Sequence, residues 1–123
     1  MLFRSNNGHY DNDRFKSIFL NKDAVVIDGG ANIGLFSLFL NKACKKIYAV
    51  EPTTEHVEVL KQLCENLGIS NIETHEIAFN NFNGFCNFSV DDTNTTTNRI
   101  SNAGKLIRCV TVLDFIKIGR AHV

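Results

Sequence analysis

The fold of this chain is decided by the stretch Val25-Val26-Ile27-Asp28-Gly29-Gly30-Ala31-Asn32-Ile33-Gly34. Three β-branched apolar residues end in an acid, and a glycine-rich turn then opens a helical pattern. This order is typical of a β-strand whose carboxyl end delivers a ligand onto the first turn of a helix. The acid and the spacing of the glycines therefore bear on which ligand is bound.

The composition bounds the possible classes of protein. The 123 residues have room for one domain, and 44% of them are hydrophobic, so the chain can build a core. Lys plus Arg and Asp plus Glu number 13 each, which gives a formal net charge of zero. Such a balance offers no broad electrostatic surface for nucleic acid or for an anionic membrane, and we expect neither as a partner.

The four cysteines, Cys44, Cys64, Cys86 and Cys109, are scattered and show no C-x-x-C spacing. This pattern predicts small, reduced core residues rather than a metal site. The sequence has no apolar run long enough to span a membrane, and its first residues lack the apolar stretch of a signal peptide. We therefore expect a cytoplasmic protein without a bound metal.

The hydrophobic pattern predicts alternating helices and strands over much of the chain. After a polar, mobile leader at residues 1–12, it predicts a short helix at 13–20, strands at 24–28, 46–51 and 72–79, a helix at 33–43, and a helix that Thr54 caps and Gly68 ends. Helix 33–43 is apolar nearly all round, so we expect it to be well buried. The β-α-β-α-β order predicts a parallel sheet with a ligand at the carboxyl ends of its strands.

The alternation of helix and strand ends near residue 80. Residues 85–90 and 106–112 are predicted to be two further strands that pair as antiparallel neighbours. Between them, residues 91–104 form a polar segment rich in Thr and Asn, with Arg99 as its single cation. We interpret this segment as a solvated connector, with closure over a substrate as the alternative.

Two classes of ligand use such a strand–turn–helix site, and Asp28 and Ala31 distinguish them. A dinucleotide site requires the pattern G-x-G-x-x-G, whose middle glycine lets the backbone approach the pyrophosphate. In the frame that begins at Gly29, Ala31 occupies the middle position, and the Asp28 carboxylate would face a group of its own charge. S-adenosylmethionine carries an ammonium and a sulfonium, so the same carboxylate favours it.

Glu51 ends the next predicted strand, where an acid can accept hydrogen bonds from both ribose hydroxyls of an adenosine ligand. Gly30 and Gly34 would serve the tight turn and the close approach of the backbone. For each acid taken alone, a plain strand–helix connection or a solvated strand end is an equally good interpretation. Both acids, in the right order on successive strands, favour a ligand site.

These motifs resemble those of one known family. The run from Val26 to Gly34, followed by Tyr48-Ala49-Val50-Glu51-Pro52, resembles the FkbM-type S-adenosylmethionine-dependent methyltransferases, and Ile77-Ala78-Phe79, Asn83-Gly84 and Val110-Thr111-Val112-Leu113-Asp114 fit as well. The resemblance covers roughly residues 15 to 117 and implies the N-terminal portion of a Rossmann-like, three-layer α/β/α class I methyltransferase fold. It also implies cofactor contacts at Asp28, Gly30, Asn32, Gly34 and Glu51. Members typically methylate a hydroxyl on a sugar, a polyketide or a similar small metabolite.

Two other functions stay open at this point. One is a nicotinamide-dependent oxidoreductase domain, which Ala31 and Asp28 disfavour, and the other is a nucleotide-binding fragment without turnover. No catalytic residue is assigned. Of the four histidines, His9 lies in the leader, and His56 opens a helix and is expected to face solvent. His75 is expected to be a packed or edge-exposed residue of a strand, and His122 lies within residues 118–123.

The last six residues, 118–123, do not fit the family's pattern and have a different expected origin. The family's pattern continues beyond Asp114 into a core strand with a K-x-D-x-E-G motif, which these 123 residues do not contain. The sequence Ile-Gly-Arg-Ala-His-Val is also the translation, in one frame, of a common sequencing adapter. We therefore expect residues 13–117 to be a partial methyltransferase domain, inactive by itself, and residues 118–123 to be an adapter-derived tail. In that case residues 25–27 keep an unpaired, apolar strand edge that favours aggregation.

The nucleotide sequence of the locus tests this expectation. We expect the natural reading frame to diverge from the present one after Lys117 and to encode the missing strand. An intact gene whose last codons encode residues 118–123 would contradict it.

Overall fold

The computed structural model describes residues 22–89, 99–100 and 104–122. Within these ranges lie the elements β1 Val25–Gly29, α1 Leu35–Leu40, β2 Lys46–Val50, α2 Thr54–Leu67, β3 Ile72–His75, β4 Ala78–Phe79, β5 Gly84–Ser89, β6 Arg99–Ile100, β7 Lys105–Val110 and α3 Val112–His122, with a 3-10 turn Asn41–Ala43 after α1. The leader predicted at 1–12, the helix predicted at 13–20 and most of the segment 91–104 lie outside the described residues. No helix in the described part of the chain is long and apolar enough to cross a membrane.

The strands form two sheets. Strands β1, β2 and β3 are parallel neighbours in that order, with Val26 opposite Ile47 and Ile47 opposite Ile72. The second sheet has the order β4-β7-β5-β6, in which β4 runs parallel to β7 and the other pairs are antiparallel. The structure confirms the predicted parallel β-α-β-α-β unit and the antiparallel pairing of β5 with β7.

Helices α1 and α2 cover one face of the first sheet. Because side chains alternate along a strand, Ile47 and Ala49 point to the same face of β2. Ile47 packs with Val26 and with Leu40 of α1, whereas Ala49 packs with Leu60 of α2. All four cysteines are buried free thiols, as the sequence predicts.

The opposite face of the first sheet carries an aromatic cluster. Tyr48 of β2 and Phe115 of α3 meet edge to face at a ring-centroid distance of 5.8 Å, and Phe79 of β4 meets Phe115 at 5.5 Å. Val50 and Val110 are buried in the same cluster. Edge-to-face ring pairs at such distances are favourable beyond the area that they bury. The cluster therefore joins the two sheets and packs α3 against the face that α1 and α2 leave open.

Helix α1 is shorter and less buried than predicted. Asn32 and Gly34 have φ angles of 56° and 89°, which a right-handed helix excludes, so α1 begins at Leu35 rather than at residue 33. Leu40 is buried, whereas Leu35 and Phe39 are 70% and 62% exposed. The expectation of burial all round is wrong, because α1 packs one side against the sheet and turns the other to solvent.

Other elements also differ from the predicted ones. The strand predicted at 72–79 is divided at residues 76–77, because β3 extends the first sheet while β4 pairs with β7 in the second. The strand predicted at 106–112 ends at Val110, since the N–H of Asp114 donates to Thr111 Oγ1 at 3.1 Å and α3 starts there. Two residues of the predicted connector, Arg99–Ile100, form β6 beside β5.

Strand β1 lies at an edge of its sheet within the described ranges, as expected for residues 25–27. Val25 is 40% exposed at this edge. Helix α3 continues from Val112 to His122, through the boundary predicted after Lys117. The adapter-derived origin of residues 118–123 stays a prediction.

Replacement of Gly34 by Ala tests the packing of the glycine turn. A Cβ at Gly34 would lie 2.2 Å from Leu60 Cδ1, and its φ of +89° is unfavourable for a residue with a side chain. We expect Gly34→Ala to lower the free energy of unfolding by about 2–4 kcal/mol, measured by urea denaturation.

Gly30→Ala is the matched control for this substitution. Gly30 also has a positive φ, +70°, but a Cβ there would meet no atom within 4 Å. Its replacement should therefore cost about 1 kcal/mol. Equal losses in the two variants would show that contact with Leu60 does not exclude a side chain at position 34.

Candidate cofactor-binding site

The backbone N–H groups of the turn between β1 and α1 are all hydrogen-bonded to other groups of the protein. The N–H groups of residues 30 and 31 both donate to the carbonyl of Val50, at 2.9 and 3.0 Å. The N–H of Ile33 donates to Asn32 Oδ1, and the N–H of Gly34 donates to the carbonyl of Ala31, both at 2.9 Å. The N–H of Asn32 donates to a carboxylate, so each amide of residues 30–34 is hydrogen-bonded within the protein. A phosphate group would find no free amide in this turn.

That carboxylate belongs to Glu51, which follows β2. Its Oε1 accepts the N–H of Asn32 at 2.8 Å, and its Oε2 accepts the N–H of Thr53, also at 2.8 Å. Glu51 is 6% exposed. Each oxygen has a second lone pair, so the geometry is compatible with a hydrogen bond from a ribose hydroxyl. Thr53, rather than the predicted Thr54, is the N-cap of α2, and Gly68 ends this helix as predicted.

Asp28 lies beneath the turn and is 3% exposed. Ser37 of α1 donates its hydroxyl to Asp28 Oδ2 at 2.7 Å. Burial raises the pKa of the Asp28 carboxyl, and the charge of Glu51 acts in the same direction, while the Ser37 hydrogen bond opposes the shift. The ion pairs within the described residues do not include Asp28. A cation bound beside the turn would offset this buried negative charge.

The structure brings the five predicted contact residues to one end of the first sheet. The space around each of these residues differs. The register of β1 and β2 places Gly29 opposite Val50, so the turn and Glu51 are neighbours. Gly30 borders open space, which allows the backbone to approach a ligand closely. Gly34 packs against Leu60, and this contact accounts for the glycine without a ligand. Contact of each residue with the cofactor stays a prediction.

Two side chains that no sequence motif indicates lie beside Asp28 and Glu51. Ser37 lies nine residues after Asp28, on the inner side of α1. His56 was expected to face solvent, and that expectation is wrong: its side chain is 13% exposed and its Nδ1 lies 3.5 Å from Glu51 Oε2. The start of α2 packs beside Glu51, and this turns the histidine inward. His75 lies in β3, with its ring against Tyr48.

A small cleft adjoins the start of α2. Its volume is about 190 Å³, and it lies between residues 52–55 and the strands β5 and β7. Lys105 of β7 donates its ammonium to Thr54 Oγ1 at 3.1 Å on the wall of this cleft. The cleft is lined by the residues that directly follow Glu51 in the chain.

Proteins of known type share parts of this sequence. No protein-family model matches the chain. A protein of Oceanobacillus iheyensis, named an uncharacterized RNA methyltransferase, is 43% identical over 54 residues, and protein arginine N-methyltransferase 1 of Oryza sativa is 38% identical over 66 residues. The matches cover 44% and 53% of this chain but 12% and 17% of these relatives. The chain therefore spans less than a fifth of their lengths.

Two solved structures share the fold. An rRNA methylase of Streptococcus thermophilus matches with a TM-score of 0.50 and 26% identity, over 53% of this chain and 36% of its own. A methyltransferase candidate of Streptococcus mutans, solved with S-adenosylhomocysteine, matches with a TM-score of 0.50 and 25% identity, over 55% of this chain and 38% of its own. The predicted fold, part of a Rossmann-like class I methyltransferase fold with a parallel sheet, is confirmed.

Asp28→Asn is expected to stabilise the ligand-free protein. Because the pKa of Asp28 is raised in the fold, the folded state binds this proton more tightly than the unfolded state does. The protonated carboxyl therefore contributes stability at low pH. This contribution is lost as the pH rises from 3.8, the ordinary pKa of an Asp carboxyl, through the higher pKa of Asp28 in the folded protein. Asn does not ionise and can still accept the Ser37 hydroxyl. We expect a gain of about 0.5–2 kcal/mol at neutral pH, which shrinks toward about pH 4, in thermal melts.

Ser37→Ala is the matched control for Asp28→Asn. It removes a hydrogen bond that lowers the Asp28 pKa, so it should destabilise the protein at neutral pH. If Asp28→Asn also lowered the melting temperature at neutral pH, the charge of Asp28 would be compensated in the folded protein.

Proposed function

We propose that the chain is the cofactor-binding part of a methyltransferase that uses S-adenosylmethionine. One observation carries the proposal: Asp28 and Glu51, two buried acids, flank a turn whose amides are all engaged within the protein. Such a turn suits a ligand that carries positive charge and a ribose, and it has no amide to give to a pyrophosphate. The methyltransferase relatives, and the S. mutans structure solved with S-adenosylhomocysteine, support the same cofactor.

The residues present fit this cofactor. When bound, S-adenosylmethionine supplies a methyl group on a positively charged sulfur. Glu51 would accept a ribose hydroxyl, and Asn32 would hold Glu51 from the turn. The negative charge of Asp28 would favour the ammonium and the sulfonium, while Gly30 would let the ligand approach the backbone. Methyl transfer is an in-line displacement, so orientation of the donor supplies a large part of the rate.

A nicotinamide dinucleotide fits the turn less well. Ala31, in the middle position of the glycine pattern, is buried with Leu60 and Ala49 rather than open to a ligand. Its N–H and that of Gly30 are both bound to Val50, so neither is available to a pyrophosphate. The turn therefore lacks the two features that a dinucleotide-binding oxidoreductase needs here, an open middle glycine and free backbone amides for the pyrophosphate.

The methyl acceptor has two candidates. Resemblance to the FkbM-type family leads us to propose a hydroxyl on a sugar, a polyketide or another small metabolite. The 43% identity with a protein named as an RNA methyltransferase supports RNA as the second candidate. The balanced charge of the chain gives RNA no broad basic surface, which favours the small acceptor. We also propose a cytoplasmic location, which the four free thiols support.

Isothermal titration calorimetry tests the cofactor. We expect the protein to bind S-adenosylmethionine and S-adenosylhomocysteine, and to bind NAD at least about 100-fold more weakly, because the charge and the amides of the turn oppose a pyrophosphate. Asp28→Asn should weaken binding of S-adenosylmethionine by about tenfold and affect S-adenosylhomocysteine less, since the latter lacks the sulfonium charge. Tighter binding of NAD would refute the proposal.

Transfer of a labelled methyl group distinguishes the acceptors. The natural gene product would be incubated with labelled S-adenosylmethionine and, separately, with hydroxylated metabolites and with total RNA. We expect label in the metabolite fraction. Label confined to RNA would overturn the small-molecule acceptor and leave the proposed cofactor standing.

A further inference from the structure

His56 lies in the first turn of α2 and faces inward. Its side chain is 13% exposed, and its Nδ1 atom is buried without a hydrogen-bond partner in the described part of the chain. Buried polar atoms in native proteins are normally hydrogen-bonded, so this atom calls for an explanation. The oxygen nearest to it among the ion pairs is Oε2 of Glu51, 3.5 Å away.

The protonation of Nδ1 decides whether this contact attracts or repels. A bare Nδ1 would turn a lone pair toward the carboxylate, whereas an Nδ1–H would donate a charge-assisted hydrogen bond. Oε2 keeps one lone pair after it accepts the N–H of Thr53. A ring that carries a proton on Nδ1 therefore fits this position, 3.5 Å from Oε2.

We infer that His56 is a positioning residue for Glu51, which it holds through a hydrogen bond from Nδ1–H to Oε2. The inference rests on the proposed function, in which Glu51 accepts a ribose hydroxyl of the cofactor. Asn32 and Thr53 donate to Glu51 from the backbone, and His56 is the third donor. The second lone pair of Oε1 then remains for the ligand. His56 thus directs Glu51 to one ribose hydroxyl, rather than to both as the sequence alone suggests.

The first test is the tautomer of His56 in the ligand-free protein, and it requires no cofactor. Long-range ¹H–¹⁵N correlation NMR distinguishes a protonated ring nitrogen from a bare one. We expect Nδ1 to carry a proton. A His56 ring with bare Nδ1 and protonated Nε2 would overturn the inference.

The second test compares two substitutions by calorimetry with S-adenosylhomocysteine. His56→Asn keeps an N–H donor near the place of Nδ1, whereas His56→Leu removes the donor and keeps a side chain of similar bulk. We expect His56→Leu to weaken binding about five- to tenfold and His56→Asn to stay within about twofold of wild type. Thermal melts of both variants verify that each is folded.

The outcomes separate the role of His56 from the proposed function. Equal losses of affinity in His56→Asn and His56→Leu would overturn the positioning role, since the donor would then make no difference. If the wild-type protein bound no S-adenosylhomocysteine, the proposed function would fail. The tautomer would still show whether Nδ1 of His56 carries the proton that the positioning role requires.

Discussion

The local structure of the site depends on the carboxylate of Glu51. It accepts one amide from the turn after β1 and another from the N-cap of α2, so three segments of the chain meet on two oxygens. Hydrogen bonds from amides to a carboxylate are among the stronger ones in proteins. Without this acceptor, the amides of Asn32 and Thr53 would both need new partners. The residue proposed to bind the ribose therefore also holds the turn and α2 in place.

Negative charge is concentrated at this end of the sheet. Asp28 lies near the end of β1 and Glu51 directly follows β2, so both acids lie at the same end of two neighbouring parallel strands, and both are buried. Burial of the Asp28 carboxyl raises its pKa, so the folded protein disfavours the ionised form that a cation would favour. A buried charge kept against folding stability is typical of a functional site. In the proposed function this charge, more than the fold itself, favours a cationic adenosine cofactor over a dinucleotide.

The second sheet supports the turn from the other face. A Cβ at Gly29 would lie 3.2 Å from the ring of Phe79, so the strand end rests directly on the aromatic cluster. Phe79 in turn contacts Phe115 of α3, and Phe115 contacts Tyr48 of β2. The turn is thus placed between α1 and α2 above it and the rings below it. Packing on both faces limits how far the turn can move when a ligand approaches.

The elements near the site follow from local signals in the sequence. A run of β-branched residues predicts β1, the proline at position 52 accounts for the end of β2, and Gly68 ends α2. Long-range contacts explain the errors. The amide of Asn32 bonds to Glu51, 19 residues away, while Asn32 adopts a left-handed conformation, and α1 therefore starts two residues later than predicted.

The sequence by itself determined the alternating strands and helices of the first sheet and the two acids at the strand ends. The tertiary structure alone decided that Ser37 bonds to Asp28, that Gly34 meets Leu60 and that His56 faces Glu51. The physical reason is the range of the interactions. Propensity and alternation act between near neighbours in the chain, whereas these contacts exist only after the register of the sheet has aligned distant segments.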